Sequence, residues 1–362
     1  DPDGPVNCLA VVGSSLFAGG IFSHAAGQVR NNIAAFSTTT GALGSWNANV
    51  NGWVMCMVGK GSRLYIGGNF TEAGGQFRTN AAWVGVANAT AGSWLPEPNG
   101  VIYGIAVSGS NVYLGGEFGA VAGRARYGLA LVDGSTAIPA NSFAPFISGR
   151  VLSVVPTANG VYVGGDFQGV NTDLRSCAAL VDSVTGSALA WNPGPAQQVR
   201  VVAPSGSSVF MGGDFALVGG VPRDNLAAID IATGQVTGWA PGTDAPVASI
   251  TAAGGKVYVA GGFSSPRAGI AALDRNSGVA NGWPQGISGS ISSMQVAEGR
   301  LWVCGQFSSL LGVTRSGIAE VDTSSGVPLA FDAHAVGGVR SIVVTISIVY
   351  AGGGFFQIGG GI

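Results

Sequence analysis

One short motif recurs along the whole chain and constrains its fold more than any other feature. In one of its copies it reads Val161-Tyr162-Val163-Gly164-Gly165-Asp166-Phe167. The closing Phe recurs as Phe22, Phe70, Phe118, Phe167, Phe215, Phe263, Phe307 and Phe355. Successive copies lie 48, 48, 49, 48, 48, 44 and 48 residues apart. This regular period predicts a repeat architecture in which each unit buries its apolar surface against its neighbours.

The motif is the second half of a predicted β-hairpin. A first strand precedes it in every copy and begins with a β-branched residue, namely Val6, Val54, Ile102, Val151, Val199, Val247, Ile291 or Val339. Apolar and small residues alternate along this strand, which is the period-two signature of a β-strand. A turn rich in Gly, Ser and Asn joins it to the motif, for example Ser108-Gly109-Ser110-Asn111. The spacing predicts two antiparallel strands connected by a tight turn.

Two more predicted strands complete each copy. A Gly-rich loop after the motif ends at an Arg that recurs as Arg30, Arg78, Arg126, Arg175, Arg223, Arg267 and Arg315. The third strand ends seven residues later at Asp133, Asp182, Asp230, Asp274 and Asp322, with Ser37 and Gly85 in the first two copies. This Asp starts a turn whose backbone its side chain can bond, and Gly at the end of the turn accepts positive φ. The fourth strand carries Trp46, Trp94, Phe143, Trp191, Trp239, Trp283 or Phe331.

Four short antiparallel strands per copy, without helical periodicity, predict an all-β fold: a β-propeller of four-stranded blades. We predict eight blades, the last incomplete; seven blades are the alternative. Residues 1–362 are expected to form a single propeller domain with repeats at about 6–53, 54–101, 102–150, 151–198, 199–246, 247–290, 291–338 and 339–362, numbered 1 to 8 below. Both ends fall within a repeat, so we expect the domain to belong to a longer chain. The paired glycines should let backbones approach closely, and the recurring aromatic residues should fill the space between blades.

Composition excludes several classes of partner. Charged residues make up 9% of the chain and the net charge is −2, whereas ordinary soluble domains contain about 25% charged residues. Such a chain has no field to steer nucleic acid or an anionic membrane. The four cysteines lack C-x-x-C spacing, which argues against a zinc ribbon or a redox pair. Cys8 and Cys56 share one strand position in neighbouring repeats, so a disulfide between them stays open.

The repeat resembles a known family of propeller sequences. The pattern aromatic-x-Gly-Gly-x-Phe, then Asp-x-x-Thr-Gly, then Trp is similar to the kelch-type repeat. It is closer to the kelch-like repeats of secreted bacterial β-propellers, LYVGGxF…R…D..TG…W.P, which are related to fungal cortical polarity marker proteins. In repeat 4 the resemblance is carried by Tyr162 to Phe167, Arg175, Asp182 to Gly186 and Trp191, and it extends over nearly the whole chain. It implies a secreted or surface-exposed propeller without an assigned activity.

The recurring Arg residues have a structural and a functional interpretation. An acid stands across the same hairpin in three repeats, which predicts the ion pairs Glu117–Arg126, Asp166–Arg175 and Asp214–Arg223. Stacking of the guanidinium on a neighbouring Trp would also serve a structural role. The functional alternative is a ring of cations on one rim that binds an anionic sugar or a carboxylate-rich partner. Arg126, Arg175 and Arg223 are therefore candidate ligand-binding residues.

Two Trp residues fall outside the repeat pattern. Trp53 and Trp83 are candidates for exposed contacts with a ligand, whereas the recurring Trp and Tyr residues are expected to pack between blades. His24 and His334 lack metal-ligand spacing, and no nucleophile motif precedes a helix, so we predict no metal, no cofactor and no catalytic residue. The segment Asp1-Pro2-Asp3-Gly4 resembles the start of a calcium loop but lacks its later ligands.

These features favour a non-catalytic binding or structural scaffold module. We expect it to engage protein or glycan at a cell envelope or in an extracellular assembly, since its surface is poor in charge and rich in hydroxyl groups. One alternative is a multivalent lectin, which predicts a shallow site in each blade. Another is a secreted enzyme, which predicts acids or His that depart from the repeat pattern and converge at one mouth of the propeller channel.

Overall fold

A computed structural model of the protein describes residues 2–265, 268–280, 282–283, 286–344 and 349–357, and all regular secondary structure in those ranges is β-strand. The first strands of the repeats are Val6–Val12, Trp53–Lys60, Val101–Ser108, Ile147–Thr157, Val199–Ser205, Val247–Ala253, Ile287–Ala297 and Val336–Val344. The second strands are Ser15–Gly20, Arg63–Asn69, Asn111–Glu117, Gly160–Val170, Ser208–Gly213, Lys256–Gly261, Arg300–Leu310 and Val349–Gln357. The third strands are Ile33–Ser37, Ala81–Gly85, Leu129–Asp133, Ala178–Val181, Leu226–Asp230, Ile270–Asp274 and Ile318–Asp322.

The predicted hairpins are present in all eight repeats, and repeats 1 to 7 add the third strand on the far side of the second. The chain divides into two compact units, Asp1–Arg175 with Ala179–Leu189 and Ser176–Ala178 with Ala190–Ile362. Within each unit, the first strands of successive repeats lie side by side. A single domain that spans both units stays a prediction. We call the edge where first strands begin and second strands end the entry edge, and the opposite edge the turn edge.

The Gly-Gly pair of the motif permits two close approaches. A Cβ atom added to Gly68 would lie 1.9 Å from the carbonyl oxygen of Trp53, at a bulge between the first and second strands. A Cβ atom added to Gly67 would lie 2.6 Å from Ile102 of the next repeat. The first glycine therefore serves packing between repeats, and the second serves pairing within a repeat. The predicted close approach of backbones is confirmed.

The fourth strand is shorter than predicted. In repeats 1 to 6 it is reduced to a single antiparallel bridge, such as that between Phe36 and Leu43, and repeat 7 has a regular strand, Pro328–Asp332. The chain leaves the sheet soon after the bridge, and in repeats 1, 2 and 5 the indole of the recurring Trp donates to a carbonyl of the next repeat. The indole of Trp46, for example, donates to the Gly85 carbonyl at 2.8 Å.

The predicted Gly-rich loop is itself a small hairpin at the entry edge. Its strands are His24–Ala25 with Gln28–Val29, Glu72–Ala73 with Gln76–Phe77, Ala120–Val121 with Arg124–Ala125, and Leu217–Val218 with Val221–Pro222. In repeats 4 and 7 the long second strand pairs directly with Asp173–Leu174 and Val313–Thr314. Both residues of the turn at Gly74 and Gly75 have positive φ, 59° and 74°. Two-residue hairpins require that conformation, and glycine adopts it without steric cost.

The recurring aromatic residues pack in pairs in the described part of the chain. The motif aromatic and the fourth-strand aromatic of one repeat lie with ring centroids 4.9 to 5.9 Å apart: Phe17–Trp46, Tyr65–Trp94, Tyr113–Phe143, Phe210–Trp239, Tyr258–Trp283 and Trp302–Phe331. Most of these contacts are edge-on, the arrangement that ring quadrupoles favour. Cys8, Cys56, Cys177 and Cys304 are free thiols, so the disulfide left open between Cys8 and Cys56 is not formed.

Candidate functional site

The recurring Arg residues join two segments of their own repeat through backbone carbonyl groups. Arg126 donates through Nη1 to the Ala125 carbonyl at 2.7 Å and through Nη2 to the Ala140 carbonyl at 2.8 Å. The same two bonds, to the preceding residue and to the residue fourteen positions on, are made by Arg30, Arg78, Arg175, Arg223 and Arg315. Arg267 lies outside the described residues. Each guanidinium group thus fastens the small hairpin to the fourth-strand segment.

The predicted ion pairs of these Arg residues are wrong. Asp166 pairs with Arg150 at 2.9 Å, and Glu117 lies 4.0 Å from the same Arg150. Asp214 pairs with Arg200 at 2.7 Å. These acids stand at the end of the second strand, where residues that begin the first strand face them. A ligand-binding role for Arg126, Arg175 and Arg223 stays a prediction, although two of the donors on each are committed to carbonyl groups.

Carboxylates recur at two structural positions of the repeat. At both positions the carboxylate accepts hydrogen bonds that lower its own pKa. At the turn edge, Asp133 accepts from the backbone N–H groups of Ser135 and Thr136, and these bonds lower its pKa. The equivalent Asp182, Asp230, Asp274 and Asp322 behave alike, so the predicted Asp turn is confirmed. At the entry edge, the Ser264 hydroxyl and two backbone N–H groups lower the pKa of Asp244 to about 2.

Asp3 occupies the same entry-edge position as Asp244. It accepts from the hydroxyl of Ser23 and from the N–H groups of Ser23 and His24, and these bonds hold its pKa far below the usual range. Asp1 lies outside the described residues. The acid of the calcium-like segment therefore has protein donors as partners. Within the part of the chain that the structure describes, no group of three His, Cys, Asp or Glu residues is arranged to hold a metal ion.

The two Trp candidates differ in environment. Trp53 is 51% exposed and begins the first strand of repeat 2, at the entry edge. Trp83 is half-buried in the third strand of the same repeat, with the Arg63 guanidinium 5.0 Å from its ring centroid and its ring against Gly92. The structure therefore does not bring Trp53 and Trp83 into one site.

Three further aromatic side chains join Trp53 at the entry edge of the first unit. Phe77 is 62% exposed at the end of a small hairpin, and Tyr127 and Phe146 are 41% and 44% exposed with ring centroids 4.8 Å apart. These four are the exposed aromatic residues of the described chain, and we call them the aromatic edge. Their counterparts one repeat back are Pro5, Val29, Thr79 and Glu97. Packing within the repeat therefore does not require an aromatic ring at these positions.

Sequence reasoning missed Phe77, Tyr127 and Phe146 because it searched for departures from the pattern among Trp residues alone. The signal was present: each is a large ring at a position where aligned repeats carry other residue types. It also missed two cations at the turn edge. Lys60 and Arg63 flank one hairpin turn, and no other hairpin turn in the sequence carries a cation at both ends.

Those cations line one of two clefts at equivalent positions of the turn edge in the first unit. The cleft between repeats 2 and 3, of about 310 Å³, is lined by Lys60, Arg63, Tyr65, Ser110 and Ser135, among others. The cleft between repeats 1 and 2, of about 520 Å³, is lined by Ser14, Ser15, Ser37, Ser45, Trp46 and Asn88, among others. The cleft between repeats 1 and 2 has hydroxyl, amide and aromatic groups but no charged side chain.

Comparison with known proteins supports the architecture. No protein-family model and no curated protein matches the sequence. The computationally designed Ika8 protein is similar in structure, with a TM-score of 0.70 and 15% identity over 98% of this chain and 96% of that chain. BamB from Moraxella catarrhalis, a β-propeller, matches with a TM-score of 0.58 and 12% identity over 95% of this chain and 92% of that chain. Among the described residues, no helix has the length and apolar character needed to cross a bilayer. The likeness shows the fold alone, and it confirms that this chain is an all-β β-propeller; its blade number and its kelch-like kinship stay predictions.

Proposed function

We propose that this propeller is a non-catalytic binding module, outside the cell or at its surface, that engages a protein or a glycan. The aromatic edge is the observation that carries the proposal. Trp53 and Phe77 are more than half exposed, and Tyr127 and Phe146 are nearly so. Isolated exposed apolar residues are common on proteins, but four rings along one edge of the first unit, two of them in contact and all at positions where other repeats carry other residue types, indicate a contact surface.

Aromatic rings suit both kinds of partner. Trp and Tyr dominate the binding energy of protein interfaces because they bury a large area and lose little side-chain freedom. Their flat faces also match the apolar face of a sugar ring. Exposed polar side chains lie at the same edge: the Asn51 amide donates to the Thr71 hydroxyl at 2.7 Å and accepts from the N–H groups of Thr71 and Glu72. The low charge of the chain suits recognition by contact rather than by long-range attraction.

The two alternatives have less support. A multivalent lectin predicts similar sites in successive repeats, yet the two equivalent clefts of the first unit differ, one lined by cations and the other neutral. A hydrolytic enzyme needs a general acid whose pKa is raised towards neutrality. The pKa shifts resolved for Asp residues in the described ranges are all downward, because each carboxylate accepts hydrogen bonds.

The test compares two matched surface variants with the unmodified protein. Labelled protein is applied to a glycan array and to immobilised cell-envelope protein from the source organism. We expect Trp53→Ser with Tyr127→Ser to abolish retention. The control, Ile138→Ser with Val184→Ser, changes two residues that are 56% and 64% exposed at the turn edge, and it should bind like the unmodified protein. Equal retention of both variants, or no retention of the unmodified protein on either surface, would refute the proposal.

A further inference from the structure

Side chains of repeat 2 line the smaller cleft between repeats 2 and 3 at the turn edge and cover the carbonyl that it contains. Arg63 donates through Nη1 to the Gly134 carbonyl at 2.5 Å and to the Ser135 hydroxyl at 3.2 Å. The Tyr65 hydroxyl donates to the same Gly134 carbonyl at 2.8 Å. The guanidinium also lies over the Trp83 ring. A cation stacked on an aromatic ring thus satisfies the carbonyl that the next repeat presents.

Repeat 1 has the same backbone pairing but lacks all three side chains. Ser15, Phe17 and Ala35 stand where repeat 2 has Arg63, Tyr65 and Trp83, and they occupy the same positions of the strand register. The equivalent acceptor is the Val86 carbonyl. No donor from the described residues bonds it, whereas the neighbouring Gly85 carbonyl keeps its bond from the Trp46 indole. Ala35 and Gly44 line the cleft where Trp83 covers Gly92 in repeat 2.

The second unit also places a cation at this position, but beside the recurring fourth-strand Trp and not beside a third-strand Trp. Lys256 stands at the position of Arg63, its ammonium donates to the Thr323 carbonyl of the next repeat, and it lies 5.8 Å from the Trp283 ring centroid. Thr323 follows the turn Asp322, as Gly134 follows Asp133. A cation in contact with an aromatic ring is therefore one group that this fold can place against this carbonyl, although Ser15, Asn111, Gly160 and Ser208 stand at the same position in other repeats. The cleft of repeat 1 presents the carbonyl without the cation.

We propose that the cleft between repeats 1 and 2 binds the guanidinium group of an arginine side chain presented by a polypeptide partner. The Val86 carbonyl accepts the guanidinium, the hydroxyl groups of Ser15 and Ser37 lie within the cleft, and Trp46 offers an aromatic wall. Guanidinium groups are weakly hydrated and stack on aromatic faces, which suits a site of this kind better than an ammonium.

Recognition at this cleft uses neutral oxygen atoms. Repeat 2 has Gly85 where repeat 3 has Asp133, so no carboxylate occupies the turn position, and no charged side chain lines the cleft. Binding should therefore depend little on salt. For a single capped arginine we expect a Kd on the order of 1 mM, from the usual efficiency per atom of small ligands.

The test titrates the protein with N-acetyl-arginine amide and follows Trp fluorescence and calorimetry. N-acetyl-citrulline amide, a neutral analogue of the same shape, is the control ligand and should bind at least tenfold more weakly. Glucosamine is a third arm, because an amino sugar is another source of a cation beside a ring. Preference for glucosamine over the arginine derivative, or equal binding of the arginine and citrulline derivatives, would overturn the proposal.

Two variants locate the site. Ser15→Arg with Ala35→Trp builds the side chains of repeat 2 into repeat 1 and should reduce binding at least tenfold while the protein stays folded. Arg63→Ser with Trp83→Ala opens the smaller cleft between repeats 2 and 3 further and should raise the stoichiometry from one to two. Undiminished binding by the filled variant would refute the proposal even if the opened variant fails to fold. Trp53→Ser with Tyr127→Ser should leave arginine binding unchanged, so failure of this proposal is distinguishable from failure of the aromatic edge.

Discussion

Replacement of Arg126 tests whether the recurring Arg acts by its charge or by its geometry. Its guanidinium bridges two backbone carbonyls, those of Ala125 and Ala140, and the side chain is only 7% exposed. Lys keeps the charge but has a single ammonium on a flexible stem, which cannot span both acceptors in the fixed geometry of a planar fork. Arg126→Lys should therefore destabilise the fold, although the net charge is unchanged.

The magnitude follows from the number of bonds lost. A hydrogen bond to a charged group contributes about 1.5–3 kcal/mol, so the loss of one bond by Arg126→Lys should lower the free energy of unfolding by about 2 kcal/mol. That corresponds to roughly a thirtyfold change in the unfolding equilibrium. Arg126→Met removes both bonds, and removal of a buried charge offsets part of the loss, so we expect about 3 kcal/mol.

The assay is urea unfolding followed by Trp fluorescence, with Arg124→Lys as the matched control. Arg124 lies two residues away in the same hairpin, is exposed and bonds Asn141, so its replacement should change stability by less than about 0.5 kcal/mol. The Arg126→Lys effect should also be constant from about 0.05 to about 1 M NaCl, because the partners are neutral carbonyls and salt screens only charge pairs. A stable Arg126→Lys protein, or an effect that shrinks with salt, would refute the bridging role.

Three other replacements test the repeat architecture. Trp94→Phe removes the indole bond to the next repeat at a fully buried site and should cost about 2 kcal/mol, whereas Trp53→Phe at an exposed site should cost less than about 0.5 kcal/mol in the same urea titration. Gly68→Ala places a methyl 1.9 Å from a backbone oxygen and should cost about 3 kcal/mol, while Gly238→Ala, with nothing within 4 Å, should be tolerated. The pKa of Asp244 is depressed to about 2, so the unfolded chain binds the proton first and this stabilisation is present above about pH 4. It should fall away as the pH drops towards about 2, and Asp244→Asn should flatten that acid loss when unfolding is measured across the range.

Much of the fold was predictable because each position of the repeat occurs seven or eight times in the sequence. When one residue recurs in most copies while its sequence neighbours vary, the local backbone conformation usually requires that residue. The Asp at the start of the turn is an example. Asp133 recurs because its carboxylate bonds the two N–H groups of a turn, a contact made entirely within four residues. Local chemistry of this kind can be inferred from spacing alone. The shortened fourth strand was less accessible, because the repeat spacing locates the fourth segment without showing how many of its residues pair with the third strand.

The partners of the recurring Arg were not predictable for a related reason. A sequence pattern can single out an acidic residue as a partner for Arg, but it cannot single out one backbone carbonyl, since every residue carries one. Glu117 and Asp166 therefore looked like partners of the Arg in their own hairpins, yet both lie near Arg150. The strand register decides the outcome, because it places Arg150 directly opposite Asp166.

The same reasoning identifies where function is most informative in a repeat protein. A residue that follows the pattern is sufficiently explained by packing, so a binding role must be sought where a repeat departs from it. Trp53 and Tyr127 add rings that no packing contact requires, whereas Arg63 and Trp83 add side chains that cover a carbonyl, which repeat 1 leaves uncovered where it has Ser15 and Ala35. A projecting ring offers an apolar contact surface, whereas an uncovered carbonyl offers a hydrogen-bond acceptor. The two features therefore suit different ligands. Each internal copy then serves as the control for its neighbour, because it shows what the same backbone does when the departure is absent.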